Sequence, residues 1–164
     1  MKLIGRFYLI FALLLTASCG FHLRGVLDMP RWLNNVTIEI QNAHRHMGSL
    51  LSDQLRAYHI NVIPDPSLAD YWLIIAQDDF QQQISSISSS TTPRQYQLIY
   101  TVQFKLQRAK GKEVMPLSKV VVTRQITLNS DRILGSTNEE DQSKQEMRRD
   151  AAIQIIDRLS RVHE

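Results

Sequence analysis

A strict alternation of apolar and polar residues between positions 96 and 106 constrains the fold more than any other part of the chain. The apolar set is Tyr96, Leu98, Tyr100, Val102, Phe104 and Leu106. The polar set is Gln97, Thr101, Gln103, Lys105 and Gln107, with Ile99 as the one exception. Because side chains alternate between the two faces of a strand, this pattern predicts a long strand with one buried and one wet face. The aromatic row fits a core, although such rows also stack bases or line lipid grooves.

Three segments before this strand are also periodic. Residues 36–40 alternate as a short strand, and residues 47–58 carry apolar side chains every three or four positions, which predicts an amphipathic helix. Residues 71–76 are apolar on both faces, as in a strand that is covered from both sides. The residues that follow become polar and then nearly pure Ser and Thr, which predicts a polar loop around residues 85–90.

The segments after the long strand complete the plan. Residues 110–112 (Lys-Gly-Lys) predict a hairpin turn into a second strand over residues 115–128, where Pro116 indicates an edge or a bulge. Residues 138–163 predict a long helix with an inward stripe that includes Met147 and Ile155. The order β-α-β-β-β-α predicts an α+β fold in which two helices pack on one face of a four-stranded sheet.

The N-terminus has the organisation of a secretory signal. Residues 1–18 contain a basic start, an apolar stretch and small residues directly before Cys19. This arrangement is typical of a bacterial lipoprotein signal, in which the thiol receives a diacylglycerol and the freed amine an acyl chain. Several acyl chains, at about 0.8 kcal/mol per buried methylene, hold a mature N-terminus firmly on a membrane. We expect residues 19–35 to be a lipidated tether and lead-in, and residues 36–164 to form one domain; an ordinary signal peptide before a core cysteine is the alternative.

Charge and cysteine content exclude several classes of protein. Removing residues 1–18 takes Lys2 and Arg6 from the 19 basic residues and nothing from the 16 acidic ones, which leaves 17 against 16. This near balance, without a run of Lys and Arg, gives no support for nucleic-acid binding. Cys19 is the only cysteine, so the fold contains no internal disulfide.

No motif supports catalysis or metal binding. His44 and His46 have a spacing at which a strand presents two metal ligands, but nothing near them completes a set, so a solvated loop is the better interpretation. Residues 85–90 lack both a Gly-x-Ser-x-Gly elbow and a neighbouring base. Asp78 and Asp79 are adjacent on a strand and face opposite ways, so they do not share a proton. We predict a protein that is not an enzyme and has no cofactor besides the covalent lipid.

Glutamine dominates the polar face of the predicted sheet. Its members are Gln81, Gln82, Gln83, Gln95, Gln97, Gln103, Gln107 and Gln125. An uncharged hydrogen-bonding surface of this kind suits contact with the polar lumen wall of an outer-membrane barrel, and Gln97 and Gln103 are our candidate barrel-facing residues. A merely solvated face explains the same pattern equally well.

Three segments resemble a known family. Residues 19–25, Cys-Gly-Phe-His-Leu-Arg-Gly, resemble the mature start of the LPS-assembly lipoproteins of the LptE family, and residues 95–98 and 146–152 resemble its hairpin strand and final helix. The resemblance implies a non-enzymatic outer-membrane lipoprotein that plugs the LptD β-barrel from inside, helps to assemble it and takes part in lipopolysaccharide transport to the outer leaflet. Gly20 is not the aspartate that retains lipoproteins in the inner membrane. A free-standing, tethered periplasmic protein that binds lipid or another ligand is the alternative.

The resemblance also implies lipopolysaccharide binding by basic residues before the long strand and before the last helix. In this chain those stretches, residues 85–93 and 134–138, contain no Lys or Arg, so the nearest candidates are Arg94, Arg132 and Lys144. Guanidinium groups pair with phosphates in a bidentate manner, which suits the anionic phosphates of lipopolysaccharide. Solvated loop residues are the alternative interpretation.

Overall fold

The computed structural model describes residues 28–86, 94–128 and 133–162, and it gives the backbone alone at 86, 94, 128 and 133–137. The described residues form a mixed sheet and two helices. The strands are β1 (Asn35–Asn42), β2 (Asn61–Val62), β3 (Tyr71–Ser86), β4 (Arg94–Arg108) and β5 (Glu113–Leu128). The helices are α1 (His46–Ala57) and α2 (Ile133–Ser160), and a short 3-10 turn, Pro66–Leu68, precedes β3. The α+β class and the two helices agree with the prediction from the sequence.

The sheet has five strands in the order β2-β1-β3-β4-β5, so the predicted number of four was wrong. The additional strand is β2, which is only two residues long and therefore too short to show a period. It pairs in parallel with β1 because the Asn61 amide donates to the Asn34 carbonyl at 2.8 Å and the Ile63 amide to the Val36 carbonyl at 2.9 Å. β1 is also parallel to β3, whereas β3, β4 and β5 are antiparallel.

The alternation on β4 is confirmed, because the five residues from Leu98 to Leu106 at even positions are all buried. The turn at residues 110–112 is also confirmed: Gly111 has a φ of 83°, a left-handed conformation that glycine adopts without steric cost. The predicted irregularity at Pro116 is present as well. Phe104 lies opposite Ser118 and Leu106 lies opposite Met115, so β5 carries extra residues around the proline.

β3 continues to Ser86, ten residues beyond its apolar start, and so includes the first two residues of the polar loop predicted around 85–90. On the helix-covered side of this extension the only apolar residues are Phe80 and Ile84, so its hydrophobic period is weak. Backbone pairing with β4 supplies the regularity instead, for example between Gln83 and Gln97. A bulge between Ile75 and Gln77 brings Ile75 and Asp78 onto the same face of the strand.

Both helices cover the same face of the sheet, as predicted. Met47, Leu51 and Leu55 of α1 are fully buried. The inward residues of α2, which include Met147, Ala151, Ile155 and Leu159, are fully buried too and join the same apolar cluster as the β4 row. α2 begins at Ile133 rather than at 138 and ends at Ser160. Among the described residues, no helix is long and apolar enough to cross a membrane.

Candidate functional site

The sheet face that points away from the helices is the candidate site, and its central part is made of polar side chains from three strands. We call this surface the outer face and define it by the residues that pair across β3, β4 and β5 on that side. They are Gln77, Asp79, Gln81, Gln83, Gln95, Gln97, Ile99, Thr101, Gln103, Lys119, Val121, Thr123 and Gln125. The alternation of β4 creates this surface, because its even positions are turned into the core.

The two candidate barrel-facing residues lie on the outer face and are half-buried among polar neighbours. Gln97 lies directly between Gln83 and Gln125, so three glutamine side chains form one row across three strands. Gln103 lies between Gln77 and Lys119. Six strand residues separate the two rows, which corresponds to about 20 Å along the sheet.

The outer face carries few charges. Asp79 and Lys119 lie within it and have opposite signs, and Lys105, which pairs with Ile74 on the same side, adds one positive charge at its edge. Asp79 accepts a hydrogen bond from the Gln81 side chain at 3.0 Å. The remaining polar groups are amides and hydroxyls, and an amide side chain both donates and accepts hydrogen bonds.

The same side of the sheet is covered below the bulge. Thr37 and Ile74 point away from the helices, yet each is only 3% exposed. The indole Nε1 of Trp72 donates to the Pro66 carbonyl at 3.1 Å, which ties the connection between β2 and β3 against this side. The largest open polar surface on this side is therefore the long β3–β4–β5 part of the sheet, with Glu39 and Gln41 of β1 exposed beside it.

One predicted member of the polar face lies on the other side. Gln82 pairs with Leu98, whose side chain is buried under the helices, so Gln82 belongs to the helix-covered face. The correction follows from strand geometry, because three consecutive glutamines at 81–83 cannot share one face.

The structure describes the candidate lipopolysaccharide-binding residues to different extents. Cys19 and Arg132 lie outside the described residues, and of Arg94 the structure gives only the backbone at the start of β4. Lys144 lies on α2, where its Nζ is 2.6 Å from the Glu140 carboxylate one helical turn earlier. The charge of Lys144 therefore already has a partner on its own helix. An exposed pair of this type contributes about 0.3–0.5 kcal/mol.

Sequence reasoning missed a polar cluster at the edge of the core. The Tyr100 hydroxyl donates to Asp78 Oδ2 at 2.7 Å, and the His44 backbone amide donates to Asp78 Oδ1 at 3.0 Å. Phe80 stacks on Tyr100 with ring centroids 4.0 Å apart, and the Arg148 guanidinium lies 5.0 Å from the Phe80 centroid. Burial raises the pKa of the Tyr100 hydroxyl, and the hydrogen bond to Asp78 raises it further. The signal was weak, because only the bulge turns Asp78 inward.

A second missed group holds α2 against β5. Arg124 Nη2 lies 3.2 Å from Asp150 Oδ2, and Nη1 of the same residue contacts the Glu146 carboxylate. The hydrogen bond from Arg124 lowers the pKa of the Glu146 carboxyl, and a second one from Gln142 adds to the effect. Glu146 and Asp150 are one helical turn apart, which allows one guanidinium to bind both.

Neither histidine belongs to a metal site in the described ranges, which contain no group of three or more His, Cys, Asp or Glu residues that would hold a metal ion. His44 and His46 are exposed, and the backbone amide of His46 donates to His44 Nδ1 at 3.2 Å. His44 therefore lies in the solvated connection before α1, whereas His46, predicted in the same loop, is the first residue of the helix.

Comparison with known proteins places the chain among lipoproteins of one type. Residues 33–159 match the model of the LptE family, which is described as lipopolysaccharide-assembly. The chain is 29% identical over 150 residues to the LPS-assembly lipoprotein LptE of Pectobacterium atrosepticum, which covers 90% of this chain and 80% of the relative. It is 30% identical over 154 residues to the LPS-assembly lipoprotein LptE of Yersinia enterocolitica, covering 93% and 73%.

A solved structure supports the same placement. The fold is similar to the solution NMR structure of an uncharacterized lipoprotein B from Nitrosomonas europaea, with a TM-score of 0.69 and 26% identity over 86% of this chain and 90% of that chain. The rare lipoprotein B of Shewanella oneidensis shares the fold, with a TM-score of 0.62 and 20% identity over 76% of this chain and 93% of that chain.

Proposed function

Because this chain belongs to the LptE family of lipopolysaccharide-assembly lipoproteins, which are not enzymes, we propose that it is an outer-membrane lipoprotein that plugs the LptD β-barrel. In this role it helps to assemble the barrel and takes part in lipopolysaccharide transport to the outer leaflet. Lipid on Cys19 anchors it on the periplasmic side, and most of the domain lies in the barrel lumen. The names of its relatives, which refer to lipopolysaccharide assembly, support the transport role.

The observation that carries the barrel proposal is the composition of the outer face. A barrel lumen is polar, so a plug exchanges hydration for hydrogen bonds to the wall. Charged groups resist this exchange because their desolvation costs several kcal/mol per ion, as an order of magnitude. Amide side chains such as those of Gln97 and Gln103 exchange water for protein hydrogen bonds at little net cost. The small number of charges on the outer face, among many amides and hydroxyls, suits such a contact.

The length of the central hairpin also supports the proposal. β4 has 15 residues, which corresponds to about 50 Å of strand. The apolar band of an outer-membrane barrel is about 25 Å tall. A sheet of this length is sufficient to follow the lumen wall over its full height.

Site-specific crosslinking tests the proposal. A photoreactive amino acid replaces Gln97 or Gln103 in cells, and Gln154, an exposed residue on the outer side of α2, is the control position. We expect both sheet positions to give a crosslinked product of the size of the barrel plus this chain, and the helix position to give much less. Absence of that product from both glutamines would contradict the proposal. A monomer that purifies in detergent with bound lipid would instead support the free-standing lipid-binding lipoprotein.

We also propose that Arg94 and Arg132, with a weaker contribution from Lys144, contact the lipopolysaccharide phosphates. The partner that Lys144 already has in Glu140 is the reason for ranking it last. The Arg94→Ala/Arg132→Ala double variant should lose most of its lipopolysaccharide binding in a pull-down, with Lys119→Ala as a control for loss of positive charge. Binding equal to that of the parent chain would exclude a role for both arginines.

A further inference from the structure

One end of the molecule brings the first described residues, the end of α2 and the β4–β5 turn together at Trp32, and the 3-10 turn ends one residue before Ala69, which lines the same cleft. We call this end the basal surface and define it as residues 28–32, 66–68, 108–112 and 160–162. Trp32 contributes to two neighbouring clefts, one lined by Met29, Arg31 and Val162 and the other by Tyr71, Arg108 and Lys110. The Ala109 amide donates to the Asp70 carbonyl at 2.9 Å, which brings the β4–β5 turn beside the start of β3. The basal surface is therefore the end of the sheet opposite the start of β4.

The basal surface combines apolar and cationic side chains. Leu68 is 68% exposed, more than any other large apolar side chain among the described residues. Trp32 is half-buried and packs on Tyr71 with ring centroids 5.0 Å apart. Lys110 and Lys112, next to them, are exposed. Tryptophan and leucine beside lysine are typical of protein segments that lie in the interfacial layer of a membrane.

The distance to the lipid attachment site favours lipid as the occupant of the basal surface. Asp28, the first described residue, lies nine positions after Cys19. Nine residues span at most about 30 Å in any conformation. Asp28, at the edge of the basal surface, therefore stays within that distance of a lipid-bound Cys19, and no other end of the described domain is connected so directly to the anchor.

We propose that the basal surface docks on the headgroup layer of the membrane that holds the Cys19 lipid, with Leu68 and Trp32 entering the interfacial layer. The inference rests on the anchor in the proposed function. Lys110 and Lys112 contact lipid phosphates from the turn. Docking fixes the orientation of the domain, so the outer face stands along the membrane normal instead of rotating freely about the point of lipid attachment.

Acidic groups at the same end of the molecule decide whether electrostatic attraction or apolar insertion contributes more to docking. Asp28, Asp70 and Glu113 are all exposed near the basal surface, and Asp70 accepts a hydrogen bond from the Asn35 side chain at 2.8 Å. The basic residues of the basal surface are Arg31, Arg108, Lys110, Lys112 and Arg161, so these three carboxylates offset three of five positive charges. Because the remaining excess is small, insertion of apolar side chains contributes most to docking, and we expect docking to persist on vesicles without anionic lipid and to weaken only modestly with added salt.

The single cysteine makes a depth measurement simple. Once Cys19 is lipidated, a cysteine introduced elsewhere is the only free thiol. Ala109→Cys and, as the control at the other end, Gln83→Cys each receive a nitroxide label, since both positions are exposed. The lipidated full chain is reconstituted in vesicles of phosphatidylethanolamine and phosphatidylglycerol, and in vesicles of phosphatidylcholine. Contact of the label with oxygen, which partitions into lipid, is compared with contact with a water-soluble nickel complex.

We expect the label at 109 to report an interfacial position in both kinds of vesicle and the label at 83 an aqueous one. Leu68→Asp should move the label at 109 to the aqueous signal while the protein stays bound through its lipid, and Ile84→Asp, a similarly exposed position far from the basal surface, should not. An aqueous signal at 109 in the parent chain with a blocked Cys19 overturns the docking alone. A free Cys19 thiol in the parent chain overturns the anchor of the proposed function, and the docking with it.

Discussion

Tyr100 lies where side chains and backbone groups of several elements come into contact. Its ring stacks on Phe80 of β3, and its hydroxyl donates to Asp78, which also accepts the amide of His44 between β1 and α1. Arg148 of α2 lies over the same Phe80 ring. Because burial raises the pKa of the Tyr100 hydroxyl, the group stays protonated and remains a donor throughout the physiological pH range.

Removing the hydroxyl alone measures this contact. Tyr100→Phe should lower the free energy of unfolding by about 1.5–3 kcal/mol, because Asp78 loses a charge-assisted hydrogen bond at the edge of the core. Urea unfolding checks the value. Tyr96→Phe, four residues earlier on the same face and half-buried, is the matched control and should change stability by less than about 0.5 kcal/mol. Equal losses in the two variants would show that the hydrogen bond to Asp78 is not the cause.

At this scale the sequence predicts which face a residue occupies only where the alternation is unbroken. Gln97 and Gln103 lie on the predicted face because β4 alternates without interruption. Gln82 does not, because neighbouring residues of a strand face opposite sides, so it lies on the face opposite that of Gln81 and Gln83. The inward position of Asp78 follows instead from the bulge at residues 75–77, which leaves no mark in the hydrophobic pattern, and its contact with Tyr100 was therefore not predicted.

Among the elements, α2 depends on charge as well as on apolar packing. Arg124 reaches from β5 to two carboxylates on α2, and its hydrogen bond holds the pKa of the Glu146 carboxyl below the ordinary value of 4.5. A carboxyl whose pKa is lower in the folded state stabilises the fold above its unfolded pKa. That contribution is lost as the pH falls through the folded pKa.

Glu146→Gln should therefore flatten the acid part of the stability profile. We expect the variant to be less stable than the parent at neutral pH and the difference to shrink as the solution is acidified below the ordinary carboxyl pKa. Urea unfolding at stepwise lower pH measures this. Glu139→Gln, at an exposed position on the same helix, should leave the profile unchanged. A difference between Glu146→Gln and the parent that is constant with pH would contradict the electrostatic explanation.

Elements were predicted well where they bury a regular stripe and poorly where backbone pairing alone defines them. β4 and the apolar part of α2 were found because one side of each packs into the core. β2 is stabilised by hydrogen bonds to Asn34 and Val36, and the extension of β3 by pairing with β4. Neither interaction depends on side-chain polarity, so neither leaves a period in the sequence.

The helices cover one face of the sheet and leave the outer face exposed. Substitutions on the outer face should therefore affect binding to the proposed partner more than the stability of the fold. Gln97→Glu/Gln103→Glu places two charges on the outer face and should change the free energy of unfolding by less than about 1 kcal/mol in total. The same charges should abolish co-purification with the barrel, because they must be desolvated at the contact. Gln145→Glu/Gln154→Glu, on the exposed side of α2, adds equal charge and should retain the partner. Retention by both double variants would argue against the outer face as the contact.

The order of elements along the chain bears on secretion. α2 follows all five strands, yet its residues Met147, Ala151, Ile155 and Leu159 cover much of the apolar row on β4. In the export that the proposed lipoprotein role requires, the N-terminus leaves the translocon first, so the sheet is complete before this cover has emerged and a wide apolar surface meets water. Folding of the newly exported chain should therefore depend on a chaperone that shields β4 until the last helix arrives.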